Sequence, residues 1–214
     1  MHPDLQTLAE ATPAPSAPLQ RIADALKRLA RFVLSTRDEG TILEPIAAEL
    51  ERVCAALPEA SKPQGGKRQA TRFHPEDLPK PNARLVNARG THPLVGTVNP
   101  VAPPIDLHAR DYQVLGDVEF DLRFEGNVGW VHGGFVAAGF DIVLVAAGRL
   151  SGHAGPTGTL QVRFEKPTPV GKALRYVAWF EKMEGRKIFV RAELRPREGE
   201  EVLAQASAVL IRFS

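Results

Sequence analysis

The chain has few of the residues that cross-link a protein or hold a metal. One of its 214 residues is a cysteine, Cys54, so no internal disulfide can form, and a reducing compartment such as the cytoplasm is expected. Its six histidines show no metal-ligand spacing, and we expect no metal. The absence of a G-x-S-x-G elbow and of a phosphate-binding loop argues against the enzyme classes that use them.

Long apolar runs and an excess of one charge are also missing. No stretch approaches about 20 apolar residues, and we expect no membrane span. The 27 basic and 25 acidic side chains nearly cancel, which leaves a formal charge of +2. A field this weak does not favour nucleic acid, so we expect no nucleic-acid partner.

The composition changes along the chain and predicts four regions. Residues 1–18 are rich in proline and alanine and are expected to be loose. Residues 19–58 carry apolar residues at helical spacing, which predicts a helical hairpin extension. Eight of the 18 prolines fall within 59–104, which predicts an extended connector. Residues 105–214 are predicted to form the compact domain.

Within 105–214 the patterns predict strands around one helix. Residues 117–124 alternate apolar and charged side chains, which indicates a strand with one buried face. Residues 133–147 are nearly free of charge and predict a buried helix. A meander of four further strands is predicted at about 157–165, 173–183, 186–196 and 201–213. The expected fold class is α+β, an antiparallel sheet wrapped around a long central helix.

The predicted helix carries the residues that suggest chemistry. Asp141 is its one ionisable group between 135 and 147, and a carboxylate in apolar surroundings is costly unless it is paired. Just before the helix stand His132, Gly133 and Gly134, and the two glycines leave its N–H groups open to a ligand. Those groups suit the charge that develops on a carbonyl oxygen, while a carboxylate suits attack or activation of water. Together they predict acyl transfer to water.

The spacing of these residues argues for two chains. On one straight helix, His132 and Asp141 would be about 13 Å apart along the axis and would point to opposite sides. One reacting atom could not contact both. A second copy of the helix, antiparallel to the first, would bring them together, which predicts a two-fold dimer with two sites at the interface.

Each of these residues also has an ordinary structural explanation. The glycine pair could mark tight backbone packing, His132 could cap the helix, and Asp141 could cap a loop. Their combination on one apolar helix is a stronger indication than any one of them.

Two stretches of the chain resemble a known family. Residues 125–134, with Asp141 nine positions after His132, and the run at 157–169 are similar to the PaaI-type hotdog-fold acyl-CoA thioesterases. The similarity covers about residues 94–214 and leaves the predicted hairpin outside. It implies a thioester hydrolase acting on an acyl-CoA or acyl-carrier thioester. Coenzyme A would then be part of the substrate, and no other cofactor is expected.

The resemblance also implies roles for the helix residues. Asp141 matches the catalytic carboxylate, as base or nucleophile. Gly133 or Gly134 would supply the oxyanion N–H, and His132 would orient or polarise the thioester carbonyl. The family builds this site across a homodimer, with His and Gly from one chain and Asp and Thr from the other. A homotetramer is the other expected assembly.

Further residues are implied around this centre. Thr157 matches a hydroxyl that positions the water, and Thr159 is the alternative. Some members carry Asn six residues before the His, where this chain has Gly126 and places Asn127 one position later. Candidates for binding the acyl group or the phosphates of coenzyme A are Trp130, Lys166, Arg186 and Lys187.

Two other functions stay open on the sequence. A hotdog hydratase or dehydratase acting on 3-hydroxyacyl thioesters would also pair a histidine with an acid. A non-catalytic module that binds acyl-CoA would make use of the helical extension for association.

Overall fold

The computed structural model describes residues 16–36, 43–58, 92–153 and 155–212. Residues 1–15 and 59–91, which hold most of the predicted loose segment and connector, lie outside the described residues, and the predicted domain boundaries stay predictions. The helices are α1 (Ala17–Ser35), α2 (Leu43–Ala55) and α3 (Gly133–Gly148). Short 3-10 turns lie at Leu122–Phe124 and Arg149–Ser151. The strands are β1 (Asp106–Arg110), β2 (Gln113–Glu119), β3 (Thr157–Phe164), β4 (Ala173–Glu184), β5 (Lys187–Pro196) and β6 (Ala204–Ile211).

The six strands form one antiparallel sheet in the order β1-β2-β4-β5-β6-β3. Every second residue of the central strands is buried, as expected for a sheet with one face on a core. Helix α3 packs on that face. This confirms the predicted α+β architecture with a central helix and N-terminal helices.

The core forms where α3 crosses β4. Val136, Phe140 and Val143 of the helix are fully buried. The Phe140 ring meets the Tyr176 ring edge to face at 5.0 Å, and Tyr176 Oη donates to the Val136 carbonyl at 3.1 Å. Burial raises the pKa of the Tyr176 phenol above its ordinary value. A Cβ at Gly139 would lie 2.3 Å from that phenol oxygen, so the helix approaches the sheet this closely only with glycine there.

The segment Gly133–Ser151 is long and apolar enough to cross a membrane by length and composition alone. This segment is an exception to the expectation that no stretch approaches about 20 apolar residues. Val136, Phe140, Val143 and Leu144 are completely buried within the chain. Packing of this kind is typical of the core helix of a domain.

Three sequence expectations for the sheet are wrong. The strand predicted at 117–124 ends at Glu119, because Asp121 caps a 3-10 turn by accepting the Arg123 N–H at 3.0 Å. Strand β1 was not predicted. It pairs with β2 through a two-residue turn at Asp111 and Tyr112, whose φ angles are 49° and 61°. Such a turn is normally signalled by Asn-Gly or Asp-Gly, and here the aspartate is followed by a tyrosine in place of the glycine.

The third correction concerns β3. The predicted meander would place β3 beside β4, but β3 pairs with β6 at the far edge of the sheet. Only β4, β5 and β6 follow one another as a meander. Among the described strands, none pairs with the outer edge of β3.

Candidate active site

The N-terminus of α3 is capped by His132. The residue has extended backbone (φ −61°, ψ 130°), and its Nδ1 accepts the Gly134 N–H at 3.0 Å. The N–H groups of Phe135 and Val136 donate to the His132 carbonyl at 2.9 and 3.4 Å. Of the first N–H groups of α3, that of Gly133 has no acceptor among the described residues. The expectation that both glycines offer free N–H groups therefore holds for Gly133 alone.

The cap also determines which nitrogen of His132 carries the proton. Because Nδ1 accepts a hydrogen bond, the neutral ring holds its proton on Nε2. The side chain is exposed, so the Nε2–H can donate to a ligand. Capping and ligand binding are thus compatible uses of the same ring.

The loop before His132 is tightly organised. Glu125 Oε1 accepts the Gly129 N–H at 2.7 Å, and the Gly126 N–H donates to the Trp130 carbonyl at 2.8 Å. A Cβ at Gly126 would lie 2.9 Å from the Cα of His132. Glycine at this position therefore lets the loop close directly against the histidine. The Asn found here in some family members would not fit without a shift of the loop.

Asp141 is held by a hydroxyl from the sheet. It is half-buried on α3, and its Oδ1 accepts a hydrogen bond from Thr157 Oγ1 at 2.7 Å. Thr157 is the first residue of β3 and pairs with Leu210. The resemblance takes the Asp and the Thr of one site from the same chain, and within one chain these two side chains are hydrogen-bonded to each other.

A β-bulge separates Thr157 from Thr159. Residues two apart on a regular strand face the same side, but the register shifts between these two. Gly158 lies at the shift, where a Cβ would meet the Ile211 side chain at 3.0 Å and the Val209 carbonyl at 3.3 Å. Thr159 is exposed and lines a groove on the outer face of the sheet. The structure therefore brings Thr157 to Asp141 and leaves Thr159 apart.

The two halves of the site lie far apart within one chain. Gly133 and Asp141 are eight residues apart on α3, which corresponds to about 12 Å along the helix. The prediction that His132 and Asp141 point to opposite sides assumed that both lie on the helix. His132 is the N-cap with extended backbone, so the helical rotation of about 100° per residue does not apply to it.

Phe164 is a site residue that the sequence did not single out. Its ring lies over Gly133, where a glycine Cβ would be 3.2 Å from the ring's Cζ. The side chain is 52% exposed. The signal was present in the alternation of β3, which puts Leu160, Val162 and Phe164 on one face. Strand β3 thus contacts α3 with both of its ends: Thr157 at its start contacts Asp141, and Phe164 at its end contacts Gly133.

The three candidate cations are divided between the ends of β3. Lys187 pairs with Ile211, and Arg186 donates to the Arg212 carbonyl at 3.3 Å. Ile211 and Arg212 directly follow Leu210, which pairs with Thr157 at the start of β3. Lys166 lies beyond the opposite end of β3 and forms an ion pair with Glu201.

Trp130 lies in the loop that leads into the N-terminus of α3. Its backbone bridges to Pro169, and its side chain is 43% exposed. The following residue, Val131, donates its N–H to the Thr168 carbonyl at 2.8 Å. These contacts tie the loop to the segment that follows β3.

Two grooves, of about 510 and 240 Å³, lie on the outer face of the sheet. Neither is lined by Asp141, His132 or Gly133. In the described part of the chain, no three His, Cys, Asp or Glu side chains are grouped so that they could hold a metal ion.

Comparisons with known proteins match the segment that holds the candidate site. Residues 128–203 match the family model described as "Thioesterase superfamily". Acyl-coenzyme A thioesterase THEM4 of Bos taurus is 30% identical over 89 residues, which cover 42% of this chain and 36% of the relative. The Rattus norvegicus protein of the same name is 31% identical over 94 residues, 43% of this chain and 40% of the relative. The chain thus spans about two fifths of the length of these relatives.

A solved structure extends the likeness to nearly the whole chain. The crystal structure of a thioesterase superfamily protein aligns with a TM-score of 0.72 and 29% identity, covering 93% of this chain and 92% of the other. Both the matched segment and the observed architecture agree with the family resemblance found in the sequence. Residues 128–203, which contain His132, helix α3 and strand β3, therefore match the thioesterase superfamily and form most of a hotdog-fold domain.

Proposed function

We propose that this protein hydrolyses acyl-CoA thioesters. The observation that carries the proposal is the arrangement on α3, in which one helix presents a free Gly133 N–H at its start and a hydroxyl-bound Asp141 carboxylate two turns later. An N–H donor and a carboxylate are the two groups that thioester hydrolysis needs. The relatives named acyl-coenzyme A thioesterase support coenzyme A as the carrier.

The proposal includes a two-fold dimer, because one chain leaves much of α3 uncovered. Ala138, Asp141, Ile142 and Val145 are only partly buried on a helix whose other side is in the core. Beside them lies the unpaired edge of β3. An apolar stripe next to a free strand edge is a surface that a second copy would cover.

Antiparallel pairing of two β3 edges would complete the site. In such a pair the start of one strand lies opposite the end of the other. Thr157 and Asp141 of one chain would then face Phe164 and Gly133 of the second chain. The same pairing would bring the Arg186–Lys187 turn of one chain to the side that holds Lys166 of the other. Cations from both chains could then bind the phosphates of coenzyme A.

The reaction would proceed at the thioester carbonyl. The Gly133 N–H and the His132 Nε2–H bind the carbonyl oxygen and stabilise the negative charge that develops on it. Asp141 takes a proton from water while the water oxygen bonds to the carbonyl carbon. The tetrahedral intermediate then collapses, the C–S bond breaks, and the thiolate of coenzyme A leaves and takes up the proton that Asp141 accepted, which restores the carboxylate. The acid is released.

A second route uses the same groups, with Asp141 as the nucleophile. Its oxygen would bond to the carbonyl carbon, the thiolate would leave, and water would hydrolyse the resulting anhydride. A single turnover in water enriched in ¹⁸O tests the second route. Label recovered in Asp141 supports the nucleophile, because attack of water on the Asp141 carbon of the anhydride places it there. Label found only in the released acid agrees with the base and also with attack of water on the acyl carbon of the anhydride.

The test of the function is release of free thiol from short, long and aromatic acyl-CoAs, compared between the wild type and Asp141→Asn. We expect turnover of at least one substrate and a loss of about a hundredfold or more in the variant, because the amide can neither accept the proton nor attack. A folded wild-type protein without turnover on the whole panel would contradict the proposal. Water addition to an enoyl-CoA, measured in parallel, would instead favour the hydratase.

A further inference from the structure

The N-terminal helix α1 lies outside the family-matched segment, but it is docked beside the active-site loop. Arg31 reaches Asp121 Oδ2 at 3.1 Å, and Lys27 Nζ donates to the Thr97 carbonyl at 2.8 Å. Ala23 is the buried residue of the helix. These contacts place one side of α1 on the hotdog domain at the turn before the loop.

Asp121 is a junction of several hydrogen bonds. Its side chain caps the 3-10 turn through the Arg123 N–H and receives the Arg123 guanidinium at 2.9 Å. That guanidinium also donates to the Pro100 carbonyl at 2.5 Å. Burial raises the pKa of Asp121, but the hydrogen bonds from Arg123 and Arg31 outweigh it and hold the pKa below its ordinary value. The carboxylate thus accepts hydrogen bonds from Arg123 of its own turn and from Arg31 of helix α1.

The turn that Asp121 caps is bonded directly to the active-site histidine. The Phe124 carbonyl, at the end of the turn, accepts the His132 N–H at 2.8 Å. The Phe124 ring packs edge to face on Phe135 in the first turn of α3, at 5.0 Å. A displacement of the turn would therefore move both the cap and the start of the helix.

We propose that α1 positions the active site, with Arg31 as the positioning residue. The route of contacts runs from Arg31 to Asp121, through the 3-10 turn to Phe124, and from its carbonyl to His132. The consequence for catalysis rests on the proposed function, in which His132 and Gly133 bind the thioester oxygen. Arg31 contacts Asp121, so it acts on the site through other residues.

A positioning role can be separated from a contribution to stability. The Arg31 and Asp121 side chains are 44% and 25% exposed, and pairs this accessible to solvent add little to global stability. Oxyanion donors, in contrast, act only when they lie at hydrogen-bond distance from the reacting oxygen. Loss of Arg31 should thus lower kcat while the melting temperature changes little.

The test compares three variants of the full-length chain. Arg31→Gln removes the charge, and Arg31→Lys retains it. Arg28→Gln is the matched control, since Arg28 is exposed on the same helix with no hydrogen bond or ion pair to another described residue. Each variant is assayed for kcat and KM on the best acyl-CoA, for melting temperature, and for hydrogen exchange of residues 121–135.

For Arg31→Gln we expect kcat to fall about two- to fivefold, the range that one exposed ion pair can supply. KM should stay within about twofold, and exchange at residues 121–135 should be faster. Arg31→Lys should recover most of both, and Arg28→Gln should match the wild type. Equal exchange and equal kcat in Arg31→Gln and Arg28→Gln would overturn the proposal.

Hydrogen exchange tests the positioning role of α1 without relying on turnover, so this proposal and the proposed function can fail separately. If no acyl-CoA is turned over, the thioesterase assignment fails, but faster exchange in Arg31→Gln alone would still support the positioning role. If Arg31→Gln unfolds, Lys27→Met removes the other charged contact of α1 with the domain, and the same comparison with Arg28→Gln applies. A Lys27→Met protein with wild-type exchange and kcat would then count against α1 as a positioning element.

Discussion

Replacing Thr157 by Val is the sharpest test of the active-site geometry. The change removes one hydroxyl and keeps nearly the same volume. In the structure that hydroxyl donates to Asp141 Oδ1 at 2.7 Å. The variant carboxylate therefore loses the sheet contact that orients it. Thr159→Val is the matched control, because Thr159 is exposed on the other side of the bulge.

The size of the effect follows from the kind of bond that is lost. A hydrogen bond from a hydroxyl to a charged carboxylate contributes about 1.5–3 kcal/mol. If all of it is lost in the transition state, the rate falls by about ten- to a hundredfold, since about 1.4 kcal/mol corresponds to a factor of ten. Thr157→Ser keeps the hydroxyl and should retain most of the rate.

The assay is thiol release at saturating acyl-CoA, with kcat and KM determined for the three variants. The melting temperature of each variant shows that it is folded. We expect kcat to fall in Thr157→Val, while Thr159→Val stays within about twofold of the wild type. Full kcat in a folded Thr157→Val protein would refute the assignment of Asp141 and Thr157 as a working pair. A similar loss in both Val variants would refute the distinction that the bulge makes.

Three further predictions concern stability and assembly. Gly139→Ala should lower the melting temperature by about 5 °C or more, because the added Cβ would lie 2.3 Å from the phenol oxygen of Tyr176. Gly199→Ala is the control, since its Cβ would meet nothing closer than 3.5 Å and should leave the melting temperature unchanged. Thermal unfolding of both variants measures the difference. Burial raises the pKa of Asp117, but its guanidinium partners hold it below the ordinary value. Its stabilising contribution is therefore complete above about pH 4 and is lost as pH falls through the lowered pKa, so melting curves between pH 2.5 and 7 should show a smaller acid loss for Asp117→Asn. Ile142→Lys should turn the proposed dimer into monomers in light scattering, whereas Tyr112→Lys, at an exposed turn, should not; a dimeric Ile142→Lys protein would rule out the proposed interface.

Much of the fold was predictable because its signals are local. The apolar run after Gly134 predicted α3, and alternation of apolar and polar residues predicted β3, β4, β5 and β6 within a few residues of their observed bounds. The strand predicted at 117–124 failed because Asp121 caps a turn, and no alternation pattern reveals a side chain that accepts the backbone N–H of a residue two positions later.

The candidate site was predictable as a set of residue types. Asp141 was notable as a lone carboxylate on an apolar helix, and the His-Gly-Gly run marked the helix start. Phe164 was missed because its alternation assigned it to a buried face, whereas it lies half-exposed over Gly133. The Arg31–Asp121 contact was also beyond reach, since it joins residues 90 positions apart.

Periodicity and local spacing act over a few residues, and they were enough to predict where the helices and most strands lie and which residue types surround the site. Only the folded chain showed which of these residues meet. The Phe164 ring lies over Gly133, and the bulge turns Thr157 toward Asp141 while Thr159 faces outward. These contacts join helix α3 to strand β3, so they depend on packing and strand register between segments that are separate in the chain.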